Sequence, residues 1–200
     1  MTRTTRSRTT AAALGLALAA GLTGASTTPS AALGVPPSYQ ATDGAGDVKI
    51  TRKDGLSDRQ RRSIDLGSVQ IVQDDANREI DVAVQLRRVT GSTRFDQVVT
   101  VVYGSDTVGG AVRFSPSPGE RRSGAAGRFG EDGDDKLCRG LVTRVSDGDV
   151  VSTSVPYRCV PDVPVSVDTL AATEPDRGGR FWSRDLLRSE GTYQLRPVAG

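Results

Sequence analysis

Residues Glu79 to Val89 read EIDVAVQLRRV, so that Ile80, Val82, Val84 and Leu86 alternate with Asp81, Ala83, Gln85 and Arg87. Successive side chains of a strand point to opposite faces, and a period of two therefore gives one buried and one wet face. Asp74-Asp75-Ala76-Asn77 precedes this run and Thr90-Gly91-Ser92 follows it; both are turn chemistry. The same texture recurs from Asp47 onward and limits the chain to short strands joined by tight turns. It predicts strands over Asp47–Lys53, Ile64–Val72, Phe95–Tyr103, Val108–Phe114, Leu137–Val145, Val150–Val160 and Val163–Leu170, with a last one over Thr192–Val198. Gly67 reads as a bulge or a point of close approach, and Pro164 places its strand at a sheet edge because it has no amide to donate. Phe95–Tyr103 is almost continuously apolar, which fits a central strand. Arg180–Arg188 reads as a helical turn. Ser115–Asp135 is rich in Gly, Ser and charge and reads as a long, mobile loop. Seven to nine short strands with little helix predict an all-β fold, an antiparallel β-sandwich, with a β-barrel as the structural alternative.

The first 32 residues are of another kind. Arg3, Arg6 and Arg8 stand without an acid, an Ala/Leu run extends to Leu22, and small residues follow. This is the n-region, h-region and exit of a secretory signal peptide, with cleavage expected after Ala25, Ala31 or Ala32. The apolar run is about 14 residues, short for a bilayer span. Leu22-Thr23-Gly24-Ala25 resembles a lipoprotein box with Ala25 where the lipid-bearing cysteine would stand, so the expected product is released, with no stable membrane insertion after processing. Residues 33–46, with Pro36-Pro37, read as a linker, and 47–200 as one β-sandwich domain. Processing removes three arginines, which takes the 26 basic residues to 23 against 24 acids, a net charge of −1. The pairs Arg87-Arg88 and Arg121-Arg122 and the run Arg59-Gln60-Arg61-Arg62 have acids within a few residues and read as solvated surface. No nucleic-acid partner is expected.

The sequence of 200 residues contains no histidine and two cysteines. Histidine-dependent triads, imidazole zinc sites and four-cysteine metal sites are thereby excluded within this chain. Cys138 and Cys159 lie on the two arms of the hairpin expected around Gly148 and Asp149, equidistant from its turn. An exported chain meets an oxidising compartment, so a disulfide is expected, closing about 22 residues and worth roughly 3 kcal/mol.

Asp43-Gly44-Ala45-Gly46-Asp47 precedes one strand, and Asp65-Leu66 opens the next. An acidic glycine turn leading into a strand, then an Asp-Leu pair, resembles the start of the DOMON-like and family 9 carbohydrate-binding β-sandwiches. Val155-Pro156-Tyr157-Arg158-Cys159-Val160-Pro161 also resembles a pattern in small secreted actinobacterial proteins of uncharacterised function. The first resemblance implies a structural calcium ion, with Asp43, Asp47 and Asp65 as its ligands. Calcium takes six to eight oxygens, which carboxylates and turn carbonyls supply; plain turn chemistry accounts for the same residues. Asp132, Asp134 and Asp135 form a second acidic group, read as part of the long loop. The chain departs from the sugar binders in having few aromatics. Its one tryptophan, Trp182, is a candidate ligand platform or interface anchor, or else a core plug.

No nucleophile elbow, P-loop or dinucleotide fingerprint occurs. The function expected is that of a secreted, non-catalytic binding module for a cell-envelope or extracellular ligand, glycan or protein, with calcium as its only expected cofactor. Two alternatives belong to other classes. One is a secreted protein–protein module such as an enzyme inhibitor that uses the 115–135 loop. The other is a hydrolase with paired carboxylates in a cleft.

Overall fold

The structure is a computed structural model and describes residues 38–51, 56–117, 123–130, 135–175 and 182–197. The expected signal peptide over 1–32, with its cleavage points, lies outside the described residues, as do Asp132 and Asp134. The strands are β1 (Tyr39–Thr42), β2 (Lys49–Ile50), β3 (Leu66–Asp74), β4 (Glu79–Leu86), β5 (Phe95–Gly104), β6 (Val108–Phe114), β7 (Ser123–Gly130), β8 (Lys136–Val142), β9 (Arg144–Ser146), β10 (Val150–Pro156), β11 (Ser166–Pro175) and β12 (Ser183–Arg188). A single turn of helix, α1 (Asp58–Arg61), is capped by Ser57 and Gln60 in a reciprocal capping box.

Among the described residues these strands make two antiparallel sheets, β1-β3-β4-β10-β9 and β2-β12-β11-β5-β6-β7-β8. Each sheet keeps its own edges, so the fold is a β-sandwich and not a closed barrel. The alternating face of β4 enters the core: Ile80, Val82, Val84 and Leu86 are buried, beside Val69 and Ile71 of β3 and Val151 and Val155 of β10. The second sheet meets them with Val99, Val101 and Tyr103 of β5, Val112 and Phe114 of β6 and Val167 of β11. Burying each such aliphatic side chain contributes about 1.5–3 kcal/mol. The register shift at Gly67 is the expected bulge, since Leu66 pairs with Leu86 but Ser68 with Gln85. The apolar strand β5 lies at the middle of its sheet, between β11 and β6.

Five expectations are corrected. Part of the 33–46 linker is strand: Tyr39–Thr42 pairs with β3, and the buried Tyr39 ring meets Tyr193 edge-on at 4.7 Å. Four residues are too few to reveal a period. Within the expected 115–135 loop, Ser123–Gly130 is strand β7, held between β6 and β8. Its inward apolar signal is weak because β7 carries Gly and Ala where its neighbours carry bulk. Pro164 lies just before β11, which starts at Ser166 and runs inside the sheet between β5 and β12. The expected helical turn at 180–188 is strand β12 over Ser183–Arg188. Its inward residues Ser183 and Asp185 are polar, and Arg184, Leu186 and Arg188 face out, so the alternation is inverted. Thr192–Val198 forms no strand among its described residues; Tyr193 makes one bridge, to Val165.

The disulfide Cys138–Cys159 is present, by a different route from the one expected. The hairpin is β9–β10, turning through Gly148 and Asp149 at φ of 77° and 62°. At Thr143 the chain passes from β8, an edge of the larger sheet, to β9, an edge of the smaller. Cys138 lies on β8 and Cys159 in a 3₁₀ turn, Tyr157–Cys159, after β10. The bond therefore ties the two sheets together.

The Gly109-Gly110 pair inside β6 has a packing cause. A Cβ at Gly110 would collide with the edge of the Tyr103 ring on the neighbouring strand and lie 2.5 Å from the Gly127 carbonyl oxygen, whereas one at Gly109 meets nothing within 4 Å. The Tyr103 hydroxyl donates to the Cys159 carbonyl at 2.8 Å, linking the sheets beside the disulfide. Gly110→Ala is expected to cost roughly 3 kcal/mol by overpacking, and Gly109→Ala to be close to neutral. Urea unfolding of the two variants checks this, and equal effects would contradict it.

Candidate functional site

The turn after β1 is shaped by its own side chains. Asp43 Oδ1 accepts from the Gly44 amide at 2.9 Å, and the Asp43 amide donates to the Gly67 carbonyl at 3.0 Å. Gly46 has φ of 102°, which an L side chain rarely adopts. This conformation aims its amide at Asp65 Oδ1, 3.0 Å away. The turn thereby rests on the start of β3 and brings Asp43 and Asp47 to Asp185 on β12.

One carboxylate oxygen from each of Asp43, Asp47 and Asp185 lies within 4.8 Å of the other two. Asp185 is almost wholly buried; its Oδ2 accepts from the Leu66 amide at 2.7 Å and its Oδ1 from the Leu186 amide at 3.0 Å. Burial, joined by the charges of Asp47 and Asp43, pushes the Asp185 carboxyl up to about 6, against the pull of its two amide donors. Asp43 is also raised, by burial first and then by Asp47 and Asp65, against the Gly44 amide. Asp43 Oδ2 is buried and has no hydrogen-bond partner. Three carboxylates this close repel one another unless a proton or a cation lies among them.

Two of the three expected ligands, Asp43 and Asp47, are thus brought together; the third, Asp65, is not part of the trio. Its Oδ1 is taken by the Gly46 amide, and its Oδ2 accepts from the Arg87 guanidinium at 3.3 Å. The buried Asp65 braces the acidic turn instead. Asp185 takes the third position and was missed, because more than a hundred residues separate it from Asp47. Its only local trace is an inward acid in a strand read as helix.

Beside this cluster an open cleft of about 550 Å³ is bounded by Gly46, Asp65, Gln85, Arg87, Gly148 and Asp149. It opens between the acidic turn, the end of β4 and the β9–β10 turn. Asp149 fixes the far wall: its carboxylate accepts from the Val89 amide at 2.9 Å and its carbonyl from the Leu86 amide at 3.1 Å. Gln85 Nε2 and the Gly148 carbonyl are 3.4 Å apart. The Arg87 side chain is 60% exposed. The lining sets the polar groups of Asp65, Gln85, Arg87 and Asp149 beside the apolar Ala45, Leu66 and Leu86.

Trp182 is half-buried just before β12 and bounds no part of this cleft. Its amide donates to the Thr173 carbonyl and its carbonyl accepts from the Thr51 amide, which fixes the strand entrance. Asp135 is exposed and apart from the trio. Among the described residues no helix is long and apolar enough to cross a membrane. No protein-family model matches the chain, and no curated protein or solved structure is detectably similar to it.

Proposed function

We propose that the chain is an exported, non-catalytic binding module. It takes a polar ligand of the cell envelope or extracellular space in the cleft beside Asp65, Gln85 and Arg87, and a calcium ion at Asp43, Asp47 and Asp185 orders the acidic wall. The observation that carries this reading is the convergence of three carboxylates from two distant segments, with the buried Asp43 Oδ2 unpartnered. A hard cation with oxygen ligands suits these donors, and the turn offers carbonyls to complete its shell. The Cys138–Cys159 bond fits an oxidising compartment. The resemblance of the acidic turn to the DOMON-like and family 9 sandwiches agrees with a bound calcium ion.

The raised Asp185 carboxyl also raises the hydrolase reading. Glycosidase carboxyls stand about 5 Å apart or more, to admit the sugar or a water. Here both Asp185 oxygens are engaged by amides, which favours a cation over an acid–base pair. The inhibitor reading takes its contact from 115–135, of which Ser123–Gly130 is a paired strand.

The test is co-sedimentation of the oxidised, processed chain with purified cell walls and insoluble polysaccharides, in calcium or in chelator. Retention is expected in calcium, reduced by chelator and by Gln85→Ala with Arg87→Ala. Absence of retention in both arms would overturn the proposal, as would retention indifferent to the cleft variants.

A further inference from the structure

The sequence carries two arginine-rich runs, Arg59-Gln60-Arg61-Arg62 and Arg87-Arg88, that read separately as solvated surface. The fold brings them together and sorts their charges. Arg61 is buried, bonded to the Leu56 carbonyl and paired with Asp58 at 2.6 Å. Arg87 bonds to Asp65. Arg59 and Arg88 are exposed and line one groove of about 410 Å³ with Ser57, Gln60, Thr90 and Gly91. Among the described residues no acid bounds this groove and neither arginine has a carboxylate partner.

The two walls are held by a buried amide. Gln97, fully enclosed, accepts at Oε1 from the Thr90 amide at 2.7 Å and from the Thr90 hydroxyl at 3.3 Å. Its Nε2 donates to the Arg88 carbonyl at 2.7 Å and to Ser63 Oγ at 3.0 Å. Ser63 Oγ in turn donates to the Gln60 carbonyl at 2.6 Å, and the Arg88 amide donates to the Ser63 carbonyl at 3.0 Å. A buried polar network is costly when incomplete and rigidifying when complete. This one is complete at Gln97, and it ties the segment bearing Arg59 to the segment bearing Arg88.

We infer that this groove is an anion site for a phosphoryl group, either free phosphate or a phosphodiester of a polymer. Guanidinium groups pair with tetrahedral oxyanions through paired N–H donors. Two like charges on a fixed scaffold repel each other until an anion lies between them. The groove adjoins the cleft through the consecutive residues Arg87 and Arg88, so a polymer seated in the cleft can extend its phosphates over Arg88. The anion site does not rest on the calcium reading.

The experiment is isothermal titration of the oxidised chain in chelator at constant ionic strength, with inorganic phosphate, a soluble glycerol-phosphate polymer and an uncharged polyol. Saturable binding is expected for phosphate or the polymer and none for the polyol. Arg59→Gln and Arg88→Gln are each expected to weaken it about tenfold or more, and the double variant to abolish it. These residues are exposed, so the variants fold. Binding of phosphate and polymer alike identifies the free anion as sufficient, and binding of the polymer alone identifies the phosphodiester. No binding of either overturns the inference, as does binding that persists in the double variant or is matched by the polyol. Chelator keeps the outcome separate from that of the calcium site.

Discussion

Replacing Cys138 and Cys159 together by alanine is expected to lower the stability of the oxidised protein by about 3–5 kcal/mol and its melting temperature by roughly 10 °C. The bond closes a segment with a sequence separation of 21, which by loop entropy alone is worth roughly 3 kcal/mol. The structure adds a second contribution. Both cysteines are buried in the core, and they join the larger sheet's edge strand to the turn that leaves the smaller sheet. Removing two sulfurs there leaves a void beside Tyr103, whose hydroxyl bonds to the Cys159 carbonyl. For the same reason a reductant should act slowly on the folded protein and quickly once urea opens it. Calorimetry of the double variant against the parent checks the first point, and timed thiol trapping checks the second. A melting temperature unchanged within about two degrees would contradict the account of the bond as the tie between sheets.

Calcium is expected to stabilise the chain at pH 7.5 and to lose that effect as pH falls. Asp185 titrates near 6 in the folded chain against an ordinary value of 3.8. Between those values the folded chain binds more protons than the unfolded one, so stability from this group falls as pH rises. In chelator, acidification from pH 7 toward 4 should therefore raise stability through Asp185, by up to roughly 3 kcal/mol, with Asp43 contributing in the same direction. A cation relieves the same repulsion at neutral pH. At one hundred times its Kd it adds about 2.7 kcal/mol, or roughly 5–10 °C in a domain of this size. At pH 5 protons hold the site and the calcium response shrinks. Asp185→Asn should flatten the acid dependence in chelator and abolish the calcium response. Differential scanning calorimetry across pH, with and without the ion, measures both; a calcium response equal at pH 5 and pH 7.5 would contradict the proposed site.

The sandwich was legible because β4 and β5 state it plainly, one by strict alternation and the other by continuous Val. Elements that hide volume or invert polarity were not. On β7 the apolar signal is weak beside the bulk of its neighbours, and β12 turns Ser183 and Asp185 inward. The site was legible in halves. Asp43 and Asp47 are separated by three residues on a glycine turn, a local pattern that sequence can express. Asp185 reaches them only because β12 pairs with β2, two strands far apart in the chain. Asp65 carried the right residue type in the right neighbourhood, but the Gly46 amide and Arg87 satisfy its carboxylate. The cysteine pairing was read from a hairpin that does form around Gly148 and Asp149, but Cys138 and Cys159 lie beyond its paired arms and are brought together across the two sheets. The arginine groove was invisible for a similar reason: nothing in the sequence around Gln97 shows that its side-chain amide joins the Arg59 and Arg88 segments.

Equilibrium binding of calcium to the oxidised chain at pH 7.5, beside Asp185→Asn, tests the central claim most directly. One ion per chain, with the variant binding none, is the result the three converging carboxylates predict. No bound ion at millimolar calcium, or equal binding by the variant, would contradict it.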